Sequence, residues 1–130
     1  MKELSVGIKG YAEVEVVEAN TAKIMGSGTL DVFATPALVA LMEKAAWTSV
    51  ADAVGEGNGT VGTHMCCEHL AATPVGMKVT CESELVAVEG RKLVFKITAS
   101  DAKGIVGTAE HERFIVANEK FVTKAYAKLQ

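Results

Sequence analysis

The chain has 130 residues, enough for one domain that buries a core without disulfide or metal staples. Hydrophobic residues make up 49% and charged residues 22%, which excludes a disordered chain, and the formal charge of −3 disfavours a nucleic-acid binder, which would carry a clustered basic face. No apolar run approaches ~18 residues, so no segment reads as a membrane span; the longest clean stretch, Ala34 to Met42, stops at Glu43 and Lys44.

The chain starts Met1-Lys2-Glu3-Leu4 without the apolar core of a signal peptide. The three cysteines are odd in number and lack Cys-x-x-Cys or zinc spacing. They read as reduced, mostly buried small hydrophobes, and the expected location is cytoplasmic.

Tyr11 to Val17 alternates polar and apolar residues and predicts a strand. Asn20 to Thr29 is small and glycine-containing, a loop, and Leu30 to Phe33 is a short apolar piece. Thr35-Pro36 then predicts a helix start, with Thr35 as N-cap and Pro36 in the first helical position. Ala, Leu, Met, Glu and Lys carry that helix to about Val54. Gly55 to Gly59 ends it. This glycine-rich run follows a helix and opens a strand, the reverse of a phosphate-cradling loop.

Four strands are predicted beyond it, at about Thr60–Ala71, Met77–Val88, Lys92–Ser100 and Ile105–Val116. In the third, Leu93, Phe95, Ile97 and Ala99 share one face. The turns at Glu89-Gly90-Arg91 and Asp101 to Gly104 are short, so the last three strands should form an antiparallel meander. Ala117 to Gln130 is a polar tail, an edge strand or a short helix. The fold class is α+β, one domain over residues 1–130, with a five- or six-stranded antiparallel sheet curled around one long helix.

Ala34-Thr35-Pro36-Ala37-Leu38-Val39-Ala40-Leu41-Met42-Glu43, then Val61-Gly62-Thr63-His64, then His69-Leu70-Ala71-Ala72-Thr73-Pro74-Val75-Gly76 resemble, in order and spacing, the fluoroacetyl-coenzyme A thioesterase family of the hotdog superfamily. The resemblance runs from about Gly10 to Val116. It implies a hotdog fold, a thioester hydrolase acting on an acyl-coenzyme A, and catalytic residues Thr35, Glu43 and His69. It also implies substrate-binding roles for Gly62 and Arg113, and a homodimer or dimer of dimers with sites built from two subunits. No metal and no cofactor beyond the coenzyme of the substrate are expected. The fluoroacetyl-specialised branch carries aromatics in the loop before the helix. Asn20–Leu30 has none, so the expected substrates are several short or medium acyl esters rather than fluoroacetyl alone.

The chemistry of these residues is coherent. Helical spacing places Glu43 among Val39, Ala40, Ala46 and Trp47, an apolar stripe in which a carboxylate is costly to bury and suited to handling a proton or attacking a carbonyl. Thr35 stands at a helix N-terminus, where an anion or thioester oxygen would bind. His69 titrates near neutrality and shares a strand face with Thr63, Met65 and Cys67. The expected mechanism has backbone N–H groups near Gly62 polarising the carbonyl, Glu43 attacking or activating water, His69 moving protons, and Thr35 orienting one of them.

A Cys67–His69 nucleophile pair is the lesser reading. His64 reads as structural or substrate-adjacent, and His111, between Glu110 and Glu112, as solvated or at an interface. Arg91, Lys92, Lys78 and Lys103 are candidate cations for the coenzyme phosphates. A hotdog hydratase and a non-catalytic acyl-coenzyme A binder are the competing functions, with a structural or interaction domain ranked last.

Overall fold

The computed structural model describes residues 4–130; the first three residues, where the signal-peptide expectation begins, lie outside the described residues. The principal elements are β1 (Lys9–Glu15), a single helical turn α1 (Ala22–Met25), the long helix α2 (Thr35–Val50), β2 (Asn58–His69), β3 (Lys78–Glu89), β4 (Lys92–Asp101), β5 (Gly104–Ala117) and α3 (Asn118–Tyr126). The strands form one antiparallel sheet in the order β1-β3-β4-β5-β2. The predicted meander is β3-β4-β5. β1 adds to one end and β2 to the other, so β2 is an edge strand of 12 residues. No helix among the described residues is long and apolar enough to cross a membrane.

The helix lies on the sheet because both carry apolar residues at the right periods. Leu38, Leu41, Met42, Ala45, Ala46 and Val50 form the buried face of α2. They meet Leu93, Phe95, Ile97 and Ala99 of β4 and Val79, Cys81 and Leu85 of β3, all buried. Burying each large side chain stabilises the fold by ~1.5–3 kcal/mol. Gly10 lets the helix come close: a Cβ there would run into the Ala45 carbonyl oxygen and the Ser83 hydroxyl, which itself donates to that carbonyl at 3.1 Å.

Several expected boundaries differ. Ala34, not Thr35, is the N-cap of α2; Thr35 is the first helical residue and its hydroxyl is directed elsewhere. The regular helix ends at Val50, with residues 51–54 in a turn that leads to Gly55 and Gly57, both at left-handed φ (92° and 82°). The expected loop Asn20–Thr29 contains α1, capped by Thr21 and stopped by Gly26 at φ 78°. One helical turn is too short to show a period in sequence. The tail is α3 followed by a 3₁₀ turn, with Phe121, Val122, Tyr126 and Leu129 all exposed.

Candidate active site

Two polar clusters occupy the helix-facing side of the sheet. The first joins the start of α2 to the end of β2. Thr35 Oγ1 and His69 Nδ1 are 2.8 Å apart. The segment after β2 holds this approach in place: Phe33 N–H donates to the Thr73 carbonyl at 2.9 Å, Val32 bridges Pro74, and the buried Thr73 hydroxyl donates to Asp101 Oδ2 at 2.8 Å. His69 Nε2 is buried without a hydrogen-bond partner. Burial pulls the His69 imidazole below its ordinary value, partly offset by the Ala71 backbone, so it is neutral at pH 7 and able to take a proton. Beside it lies a cleft of about 300 Å³ lined by Ala22, Ser27, Phe33, Thr35, His69 and Ala72, among others. Phe33 is the one aromatic of this lining.

The second cluster centres on Glu43. Its neighbours Ala40 and Trp47 are exposed, so the carboxylate stands at the margin of the buried face and not within an apolar stripe. Arg113 Nη1–H donates to Glu43 Oε2 at 3.1 Å. Arg113 is itself only 6% exposed. Its Nε–H donates to Thr60 Oγ1 (2.8 Å), its Nη2–H to the Thr60 carbonyl (2.9 Å), and Nη1 also to His111 Nε2 (3.1 Å). Burial lowers the guanidinium from its ordinary value, a shift that the Glu43 carboxylate opposes only in part. Four of the five donors of the fork are thus engaged within its own chain.

His111 corrects the sequence reading. It is 1% exposed, not solvated. Along β5, Ala109, His111 and Arg113 face inward while Glu110 and Glu112 face outward, and that alternation was the available signal. Burial pulls its imidazole down, with Arg113 adding to the shift and the His64 carbonyl and Glu43 opposing it.

Gly62 faces the same cluster because of a bulge. Gly62 pairs with Arg113 and His64 with Glu112, leaving Thr63 as the extra residue. Simple alternation from His69 would turn residue 62 outward; the bulge turns it in. A Cβ on Gly62 would lie 2.5 Å from Glu43 Oε2. The glycine therefore makes room for the carboxylate.

The structure brings Thr35 and His69 together, and Glu43, Gly62 and Arg113 together, but the two groups are apart within one chain. Glu43 is eight residues beyond Thr35 on α2, about 12 Å of helix rise. His69 is seven residues beyond Gly62 on β2, about 20 Å of strand. Cys67 is half-buried, and burial pushes its thiol up, away from a thiolate; buried Cys81 is pushed up to about 12. Neither suits a nucleophile. Among the described residues no three His, Cys, Asp or Glu side chains gather as a metal site.

A curled antiparallel sheet packed on one long helix is the hotdog fold. Comparison with known proteins narrows this class. The fluoroacetyl-CoA-specific thioesterase (FlK) family model matches residues 16–119, and the chain belongs to that family. It is 42% identical, over 75% of its length and 70% of the relative's, to a fluoroacetyl-CoA thioesterase of Streptantibioticus cattleyicolor. A crystal structure of the fluoroacetyl-CoA thioesterase FlK superposes with a TM-score of 0.92 at 34% identity, covering 98% of each chain. A thioesterase superfamily member from Thermus thermophilus shares the fold, with a TM-score of 0.88 at 24% identity over 99% of this chain and 95% of that one.

Proposed function

We propose that the chain hydrolyses acyl-coenzyme A thioesters at a composite site, in which Thr35 and His69 of one copy work with Glu43 of the partner subunit. The carrying observation is the separation of the two clusters within one chain. Among the described residues β2 is an edge strand of the sheet, and its outward backbone groups invite a strand. Antiparallel pairing of two β2 strands about a two-fold axis near Met65 and Cys66 would set Gly62 of one opposite His69 of the other. Each Glu43, held beside Gly62 by Arg113, would then approach the neighbouring Thr35–His69 pair.

In this reading the acyl group enters the cleft beside Phe33 and Thr35. Glu43 attacks the thioester carbonyl to form an anhydride that water then cleaves, or takes a proton from a water that attacks the carbonyl directly; in both routes the carbon–sulfur bond breaks, the thiolate leaves and the acid is released. His69, neutral at rest, accepts the proton released by the attacking water and passes it to the thiolate. Backbone N–H groups near Gly62 stabilise the developing oxyanion. Arg113 positions Glu43, with four of its five N–H donors engaged within the chain. The substrate brings its own coenzyme, and no metal takes part. Among the candidate cations, Lys78 pairs with Glu13, Lys92 with Glu89, and Arg91 stacks over Phe114. Lys103 borders a second cleft that shares Ala71 and Ala72 with the first, and is the best placed to meet a coenzyme phosphate.

Thiol release from a panel of acyl-coenzyme A esters tests the reaction, and a hydratase or a binder would release none. Glu43→Gln should lower kcat by about 100-fold or more. Mixing inactive Glu43→Gln with inactive His69→Ala chains tests the composite site: mixed dimers hold one intact set, so about a quarter of wild-type activity should return. No recovery after verified subunit exchange would refute the shared site.

A further inference from the structure

We propose that His111 is a positioning residue for the Glu43 carboxylate, acting through Arg113, and that a proton on His111 disarms the site. The inference rests on the thioesterase reading above and adds a residue to it.

Hydrogen-bond chemistry fixes the state of this ring. A carbonyl oxygen can only accept, so the 2.7 Å contact between His111 Nδ1 and the His64 carbonyl places the hydrogen on Nδ1. A guanidinium can only donate, so the 3.1 Å contact from Arg113 Nη1 makes His111 Nε2 the acceptor. Both contacts are satisfied by one neutral tautomer. The chain of bonds then reads His64 carbonyl, His111, Arg113, Glu43, with Thr60 holding the other side of the guanidinium. An Arg side chain has several rotatable bonds, and clamping both sides of its fork leaves one place for the carboxylate.

The ring's surroundings make it a switch. The charged and titratable groups facing it are Arg113 on its own strand, Glu43 on α2 and His64 on β2; β4 contributes the Phe95 ring, 6.3 Å away between centroids. A second proton on Nε2 turns the acceptor into a donor that faces another donor, with two cations in contact. Nε2 lies 3.9 Å from Glu43 Oε2, so the new N–H would compete with Arg113 for the same oxygen. The carboxylate then shifts toward the sheet or becomes neutralised, and in both cases it no longer serves the thioester.

The test is thiol release from acetyl-coenzyme A by wild type, H111Q, H111L and E43Q across pH 5–8. Glutamine offers Arg113 an oxygen acceptor but cannot take a proton at these pH values. Leucine removes both contacts. H111L should lose about 10-fold or more in kcat with little change in KM, and H111Q should recover most of it at pH 7.5. The acid limb of kcat/KM should follow two protons in wild type, from His69 and His111, and one in H111Q. An H111L enzyme with wild-type kcat, or an H111Q acid limb as steep as wild type, would overturn the proposal. If E43Q turned over normally, the site assignment itself would fall; if E43Q were inactive and H111L normal, only the role of His111 would.

Discussion

Glu43 owes its position to atoms that are absent as much as to those present. Gly62 leaves open the space that the carboxylate fills, and the β2 bulge turns that space inward. Gly62→Ala should therefore fold normally yet lose about 10-fold or more in kcat, because its methyl would displace Oε2 and crowd Arg113 and His111. Wild-type turnover in that variant would show that the carboxylate need not sit there. Two histidines add a pH term to stability. Burial depresses both His69 and His111 in the folded chain, while the unfolded chain titrates at about 6.5. Above that value both states are neutral and neither residue contributes. As pH falls below it, the unfolded chain takes up protons that the folded one refuses, so stability declines until the folded histidines also protonate. Urea midpoints should drop between pH 7 and pH 5.5, and less so for H111Q. A midpoint that holds across this range would show that neither ring is kept neutral by the fold.

In the proposed reading, the segment from α1 to the start of α2 forms one wall of the acyl cleft. Ala22 and Ser27 contribute small side chains to the cleft, while Ile24, Met25 and Leu30 are exposed. Phe33, one aromatic at the base, is buried and packed in the core. Such a wall leaves the acyl group room, and an apolar pocket discriminates by only ~1–3 kcal/mol per methylene. Several short acyl-coenzyme A esters should be hydrolysed with comparable kcat/KM. The fluoroacetyl-to-acetyl ratio should stay well under ~10⁴, the range that strong polar discrimination reaches. A ratio above that would locate selectivity in the composite site and not in this wall.

Among the described residues, one chain exposes a long sheet edge at β2 and apolar side chains at its C-terminal helix. β2 is an edge strand with backbone groups open along one side, and α3 with the 3₁₀ turn after it exposes Phe121, Val122, Tyr126 and Leu129, the last 82% exposed. The two are neighbours: Asn118 N–H donates to the Gly57 carbonyl at 3.0 Å, so α3 starts beside the beginning of β2. A second copy paired along β2 would cover both. Sedimentation at micromolar concentration should show dimers or larger species, and the melting temperature should rise with protein concentration. Monomers alone, with full activity, would refute the shared site.

The order of strands and helix was legible because periodicity is local: alternation along β4 and the helix-forming run after Thr35 need no knowledge of distant residues. Thr35, Glu43, His69, Gly62 and Arg113 were reached through the resemblance to the thioesterase family and not through periodicity. His111 was missed because its two flanking glutamates suggested solvent, although alternation along β5 turns them away from it. What tertiary structure alone decided is non-local. The bulge at Thr63 reverses the face of Gly62, the pairing of β2 with β5 brings Arg113 and His111 under Glu43, and the lengths of α2 and β2 keep Glu43 apart from His69. These depend on register between strands far apart in the chain, and register is set when side chains from several elements pack together.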